Sequence, residues 1–304
     1  MAVMAGGVAQ RRPSRFRYWR QWLTAYLFLA PYMIFPLVFI AGAIALAVYF
    51  SFTDYDLLSD PVFVGVKNYQ RAFQDESFLH AIRNVATYTA VVVPSQTFIA
   101  LVMAAVLDQK LPFRRFFRIA WYLPCVASSV VTTLIFMWLF LPDGFINAAL
   151  NFVGINARIN WLGDEATALP SIMFMNIWAT AATMMLIFLA AIQDVPGPIY
   201  EAAHLDGAGP IRQFFQITIP LLRPAIFLVV LLGTIGCFQL YDQVKIATNG
   251  GPNEATLTVT YLIWKQGFRD LNMGYASALG VILFVGIFAI SLVQRRFLDV
   301  RPDY

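Results

Sequence analysis

The sequence predicts an all-α polytopic membrane protein with six transmembrane helices, and three observations predict it. The chain of 304 residues is 60% hydrophobic and only 12% charged, whereas soluble domains are about 45–50% apolar and about 25% charged. Its charges leave six long intervals without Asp, Glu, Lys or Arg: 21–53, 84–107, 119–142, 166–193, 224–241 and 271–294. Lys and Arg are also unevenly shared: fourteen fall on the side of the termini and the 108–118 and 193–223 loops, seven on the other.

A helix needs about 20 apolar residues to cross roughly 30 Å of hydrocarbon. Five intervals reach that length, and the fifth in order does so if Asp242 and Lys245 lie at the interface. The positive-inside bias then places both termini in the cytoplasm. It also accounts for the net charge of +4 without a nucleic-acid partner.

In chain order, residues 1–22 form a basic cytoplasmic tail and 23–294 the six-helix domain, with 295–304 as a cytoplasmic tail. The first span, about 23–51, is too long for the h-region of a signal peptide and reads as an anchor. Pro31 and Pro36 would kink it. Residues 53–83 form an external loop with a short amphipathic helix near 67–82. Span 2 covers about 84–107, and "DQKLPFRRFFR" mixes Phe with Arg at the cytoplasmic headgroups. Span 3 covers about 119–141, span 4 about 169–192 after a second external loop, and span 5 about 224–245. A third external loop turns at Gly250–Pro252 and becomes helical before span 6, about 274–294. Cys125 and Cys237 fall within spans and read as small buried hydrophobes.

Residues 194–223 are patterned although they only connect two spans. Pro198 suits the first turn of a helix, where a missing N–H costs nothing. Ile199, Ala202, Ala203 and Leu205 lie largely on one side, and Gly207 is placed to end the helix in a left-handed conformation. Pro210 starts a second short helix. The result is a cytoplasmic helix–turn–helix presenting a small-residue knob. One reading rests it on lipid, which favours Lys and Arg beneath bulky apolar residues. The other docks it in a protein groove. The first helix has Glu201, Asp206, alanines and no Lys or Arg, which suits the groove better.

Polar side chains inside spans usually face a cavity or a partner helix. Gln239, Asp242 and Lys245 recur every three residues beside Tyr241, which on a continuous helix gives one slowly drifting face. Such a set matches sugar hydroxyls against an aromatic wall; alternatively, Asp242 and Lys245 are an interfacial ion pair. Tyr275 and Ser277 on span 6 are second candidates for a substrate path. Asn176, Trp178, Ser95 and Gln96 are weaker ones.

The motifs "EAA", "DGAG" and "ITIP" resemble the EAA loop of permease subunits of binding-protein-dependent ABC importers. The matching positions are Glu201, Ala202, Ala203, Asp206, Gly207, Ala208, Ile217, Ile219 and Pro220, with Ile219 where Leu is commoner. "SFTDYD", "FVGVKNYQRAFQD", "RRFFRIAWYLPCVASSVV", "GFINAALN", "NGGP" and "GYASALGVILF" extend the likeness over about 23–298. They resemble the carbohydrate-uptake branch, in particular the first permease subunit of maltose, glycerol-3-phosphate and trehalose importers. The resemblance implies a type I ABC importer (MetI-like) permease fold in a bacterial or archaeal cytoplasmic membrane. It implies a heterodimer with a second permease subunit, an extracytoplasmic solute-binding protein and a sugar substrate. Two ATPase subunits would bind ATP and magnesium and receive the coupling segment 194–223, leaving no cofactor and no catalytic or metal site to this chain.

Rival readings are a gradient-driven secondary transporter, a non-sugar importer and an enzyme. A proton-coupled carrier usually needs ionisable relays at mid-membrane, and only Asp242 comes near a span. There is no internal repeat, and no Gly-Lys dipeptide to build a phosphate loop. His80 and His204 have no metal-ligand spacing.

Overall fold

Without water in the hydrocarbon layer, each spanning segment must satisfy its own backbone, and helices dominate accordingly. The computed structural model describes residues 15–109, 112–155 and 158–298. Arg11, Arg12, Lys110 and Arg301, which enter the charge count, lie outside them.

The chain divides into two units, residues 1–49 and 50–304. In the first, α1 (Arg15–Phe35) runs into a π-helical turn (Pro36–Ala41) and then α2 (Gly42–Ser51). Pro36, at the junction, has no N–H to give to the preceding turn.

The second unit opens with a small antiparallel hairpin, β1 (Thr53–Asp54) and β2 (Val62–Phe63). In its loop Asp56 accepts hydrogen bonds from the Ser59 hydroxyl and from the Ser59 and Leu58 N–H groups, which lower its carboxyl below the usual value. The helix expected near 67–82 is broken at Asp75: α3 (Lys67–Gln74) takes its first part, and Asp75 then caps the long α4 (Glu76–Asp108) by accepting from Ser77 N–H. Then come α5 (Arg114–Val126), α6 (Ser129–Leu139), α7 (Phe145–Phe152) and α8 (Glu165–Gln193). The connecting segment holds α9 (Gly197–Leu205), α10 (Pro210–Gln213), a π-turn (Phe214–Thr218) and α11 (Ile219–Leu221). The chain continues as α12 (Arg223–Phe238), α13 (Asp242–Ala247), α14 (Val259–Trp264), a π-turn (Lys265–Arg269) and α15 (Met273–Phe297).

Among the described residues five stretches are long and apolar enough to cross a bilayer: Trp22–Ser51, Glu76–Asp108, Glu165–Gln193, Arg223–Ala247 and Met273–Phe297. The sixth differs from expectation. The span anticipated over 119–141 is a helix pair bent by 97° between Val126 and Ser129. Pro124 removes one helical donor, Ala127 is extended (ψ 140°), and Ser128 starts α6 by capping Val131 N–H. The Cys125 thiol holds the end of α5 to α8, 3.0 Å from the Thr183 hydroxyl and 3.4 Å from the Ala179 carbonyl.

The core of the second unit is built on α4 packed along α8. One apolar cluster takes the first halves of both, around Phe78, Val85, Tyr88 and Ile172, with Tyr261 and Leu279 from later helices. Another takes their second halves, around Ala104, Leu107, Phe188 and Leu189, with Leu222 and Val229. Residues between the two clusters are more polar.

Candidate functional site

Two regions have a geometry that packing alone does not require. The first is segment 194–223. Pro198 occupies the first turn of α9, and the far end closes through two hydrogen bonds: Ala208 N–H to Ala203 O at 2.9 Å and Gly207 N–H to His204 O at 3.0 Å. That pair is a Schellman closure, which needs a left-handed residue after the helix. Gly207 supplies it with φ +76°. The Gln213 amide donates to Ala208 O at 2.8 Å, and the Tyr200 and Thr218 hydroxyls meet at 2.9 Å. These contacts fold the second helix back against the first.

The expected apolar side of α9 is not its buried side. Only Ala203 is buried, while Leu205 is 88% exposed. Two residues at 100° each put Leu205 nearly opposite Ala203, so the small and the bulky apolar residues of α9 lie on different faces. Glu201, Ala202, Asp206 and Gly207 are exposed and Ala208 half-buried. With Ile211 and Phe215 also exposed, the protrusion carries an apolar tip with acidic flanks. Behind it a cleft of about 530 Å³ runs between the end of α4 and the second helix, lined by Val102, Val106, Tyr200, Ile211 and Phe214.

The second region is the far end of the fifth span, where the helix is interrupted. α12 stops at Phe238, Tyr241 takes φ −134° and ψ −58°, and α13 begins at Asp242. The expectation that Gln239, Asp242 and Lys245 share one continuous helical face is therefore overturned. Two freed carbonyls are satisfied from about twenty residues away: Thr260 Oγ1 donates to Phe238 O and Thr258 Oγ1 to Leu240 O, both at 2.8 Å. Broken backbone within a membrane is stable only with such partners.

Gln239 and Asp242 are exposed at the break. The Lys245 ammonium lies 4.0 Å from the centre of the Trp264 ring and so forms a cation–π contact; among the described residues it has no ion pair with Asp242. Tyr241 joins the same group, its ring centre 5.9 Å from Trp264 and 6.3 Å from Tyr261. Tyr275 belongs elsewhere: it is buried, its hydroxyl donates to Asp75 Oδ2 at 2.7 Å, and the Arg71 guanidinium lies 4.1 Å above its ring. Ser277 is half-buried on α15.

A polar seam between the two apolar clusters leads to this break. The Thr180 hydroxyl lies 2.7 Å from Gln96 Oε1 and 2.8 Å from Asn176 O, while Asn176 Nδ2 donates to Gln243 Oε1 at 3.4 Å. Gln96 is buried and its Nε2 has no hydrogen-bond partner among the described residues. A Cβ at Gly233 would stand 2.2 Å from that nitrogen. Gln96 and Asn176 were weak candidates from sequence. Gln243 was missed, and its signal was slight: an amide beside the more conspicuous Asp242.

The loop beyond α13 is heavily tied. Asn249, Gly250, Asn253 and Glu254 all have positive φ. Asn84 Nδ2 donates to Glu254 O and Leu257 O, Ser77 Oγ donates to Glu254 Oε1, and Asn253 Nδ2 donates to Glu165.

Residues 96–299 match the family model described as binding-protein-dependent transport system inner membrane component. The probable ABC transporter permease protein YurN of Bacillus subtilis is 35% identical over 283 residues, covering 91% of this chain and 97% of that protein. The sulfoquinovosyl glycerol transport system permease protein SmoG of Agrobacterium fabrum is 34% identical over 296 residues, covering 93% and 94%. The crystal structure of a bacterial ABC transporter involved in the import of alginate has a chain of the same fold, with TM-score 0.82 and 22% identity over 94% of this chain and 100% of that one. A helical membrane chain whose family match takes in the protruding segment, the interrupted span and the tied loop has one consistent assignment: it belongs to the family of inner membrane components of binding-protein-dependent transport systems.

Proposed function

We propose that this chain is a permease subunit of an ATP-driven importer, forming with a second permease subunit the path for a sugar or sugar derivative. A solute-binding protein delivers the sugar from outside, and two separate ATPase subunits bind and hydrolyse ATP. The observation that carries this reading is the α9 protrusion. Its fold is held by its own hydrogen bonds, yet it exposes Leu205, Ile211 and Phe215. Exposed apolar groups on a rigid support suit a protein groove, and Glu201 and Asp206 disfavour anionic lipid. Glu201, Ala202, Ala203, Asp206, Gly207 and Ala208 are assigned to coupling on this basis.

The sugar class is supported by SmoG and by the 32% identical diacetylchitobiose uptake system permease protein NgcF of Streptomyces coelicolor. On this chain the path runs by the break in the fifth span. Gln239, Asp242, Asn176 and Gln243 offer hydrogen-bonding groups, and Tyr241 with Trp264 offers a stacking wall beside Lys245. Tyr275 and Ser277 pass to supporting roles. Import is expected only from liposomes holding both permease subunits and both ATPases, with ATP inside and binding protein outside. Leu205→Asp is expected to lower uptake at least about tenfold, the order of one lost interface anchor, while the subunit still inserts. Gradient-driven uptake without the ATPases would establish the secondary-transporter reading instead.

A further inference from the structure

Next to Tyr275, α3, the first turn of α4 and the turn after α14 enclose a cleft of about 640 Å³. Lys67, Arg71 and Lys265 line it together with Gln70, Gln266 and a single carboxylate, Asp75. Asp75 is already engaged, one oxygen accepting from Tyr275 OH and the other from Ser77 N–H. Among the described residues no carboxylate lies within 4.0 Å of any of the three cations. Arg71 is held in place by its stack on Tyr275. Three cations sharing one cleft repel one another, and a counter-anion supplied from outside relieves the repulsion.

We propose that this cleft receives acidic side chains of the solute-binding protein and steers its docking. The inference rests on the importer reading, which puts α3 and the start of α4 on the external face, opposite segment 194–223. A protein partner fits better than a free anionic sugar. A small-molecule site is lined mostly by apolar and aromatic side chains, whereas here the lining is polar apart from Leu262 and the Tyr275 ring is covered by Arg71. Exposed Lys67, Gln70 and Gln74, with half-buried Lys265 and Gln266, instead make the polar rim typical of a transient protein interface.

The test uses the complete transporter in liposomes, titrated with its loaded solute-binding protein while ATP hydrolysis is followed. In Lys67→Glu/Lys265→Glu the binding-protein concentration for half-maximal stimulation is expected to rise about tenfold, as for reversed interface charges, with the plateau kept. Raising salt from about 50 to about 300 mM should weaken docking of the parent and not of the variant, because only the parent loses attraction to screening. Lys67→Arg/Lys265→Arg, which keeps the charge, should dock as the parent does. An unchanged half-maximal concentration in the Glu variant overturns the inference and leaves the importer reading intact. A shift in sugar dependence at saturating binding protein also overturns it, assigning a substrate site instead. A parent transporter that its binding protein does not stimulate would overturn the importer reading, and this inference with it.

Discussion

At Gly207 an added Cβ would meet no atom within 4 Å, so any cost of substitution lies in the backbone. Its φ of +76° penalises a β-branched residue by about 1–2 kcal/mol, while Asn tolerates the left-handed region. Gly207→Val should therefore open the Schellman closure and lower uptake per ATP hydrolysed, and Gly207→Asn should keep most of it; equal transport by the two would refute the role given to this turn. Gly233 presents the opposite case. Its missing side chain is what leaves room for Gln96 Nε2, so Gly233→Ala forces Gln96 to move. We expect Gly233→Ala to cost about 1–3 kcal/mol, the range for overpacking, and the Gln96→Ala background to remove most of that cost. A double-mutant cycle read by thermal unfolding in detergent measures the coupling; additive effects would mean the two residues do not meet. Asp242→Ala, exposed at the break, should change sugar uptake with little change in ATP hydrolysis, and unaltered uptake across several sugars would take it out of the path.

Among the elements, two interruptions separate what the sequence displays from what folding adds. The second span was readable to its end at Leu107, but its helix begins at Glu76, because Asp75 caps it ahead of the polar turn that closes the charge-free interval. The third was read as unbroken, since hydropathy averages across a bend and "PCVASS" is apolar enough to hide one. Pro124 followed by Ser128 was the available signal. The fifth span has neither Gly nor Pro at 239–241, so its break could not be found locally. It depends on Thr258 and Thr260, at the start of α14 some twenty residues on. Replacing both by Val keeps their shape and removes the hydroxyls, leaving Phe238 O and Leu240 O without those donors. The expected loss is about 1–3 kcal/mol per carbonyl, with faster amide exchange at 239–243; unchanged exchange would show that the hydroxyls do not hold the break.

For the molecule as a whole, composition and charge spacing were enough for class and for five of the six expected spans, because the bilayer restricts the choice so strongly. The protrusion was legible from Pro198 and Gly207, whose backbone requirements are local. Of the residues proposed for the path, Tyr241 and Lys245 do meet, but around Trp264 rather than along one helical face, and Tyr275 is occupied by Asp75. The expected topology is open to direct labelling. In a background with Cys125 and Cys237 replaced by Ser, a cysteine at Ala202 should react with an impermeant thiol reagent only from the cytoplasmic side, and one at Lys67 only from outside. The tied loop at 249–258 has a mechanical consequence. Asn84 of α4, Glu165 of α8 and the Leu240 carbonyl just beyond α12 all clasp one short turn. Three helices distant in the chain are thus buttoned together at one end, while the second apolar cluster packs their opposite ends, so any rocking that carries one must carry all three as a single plank.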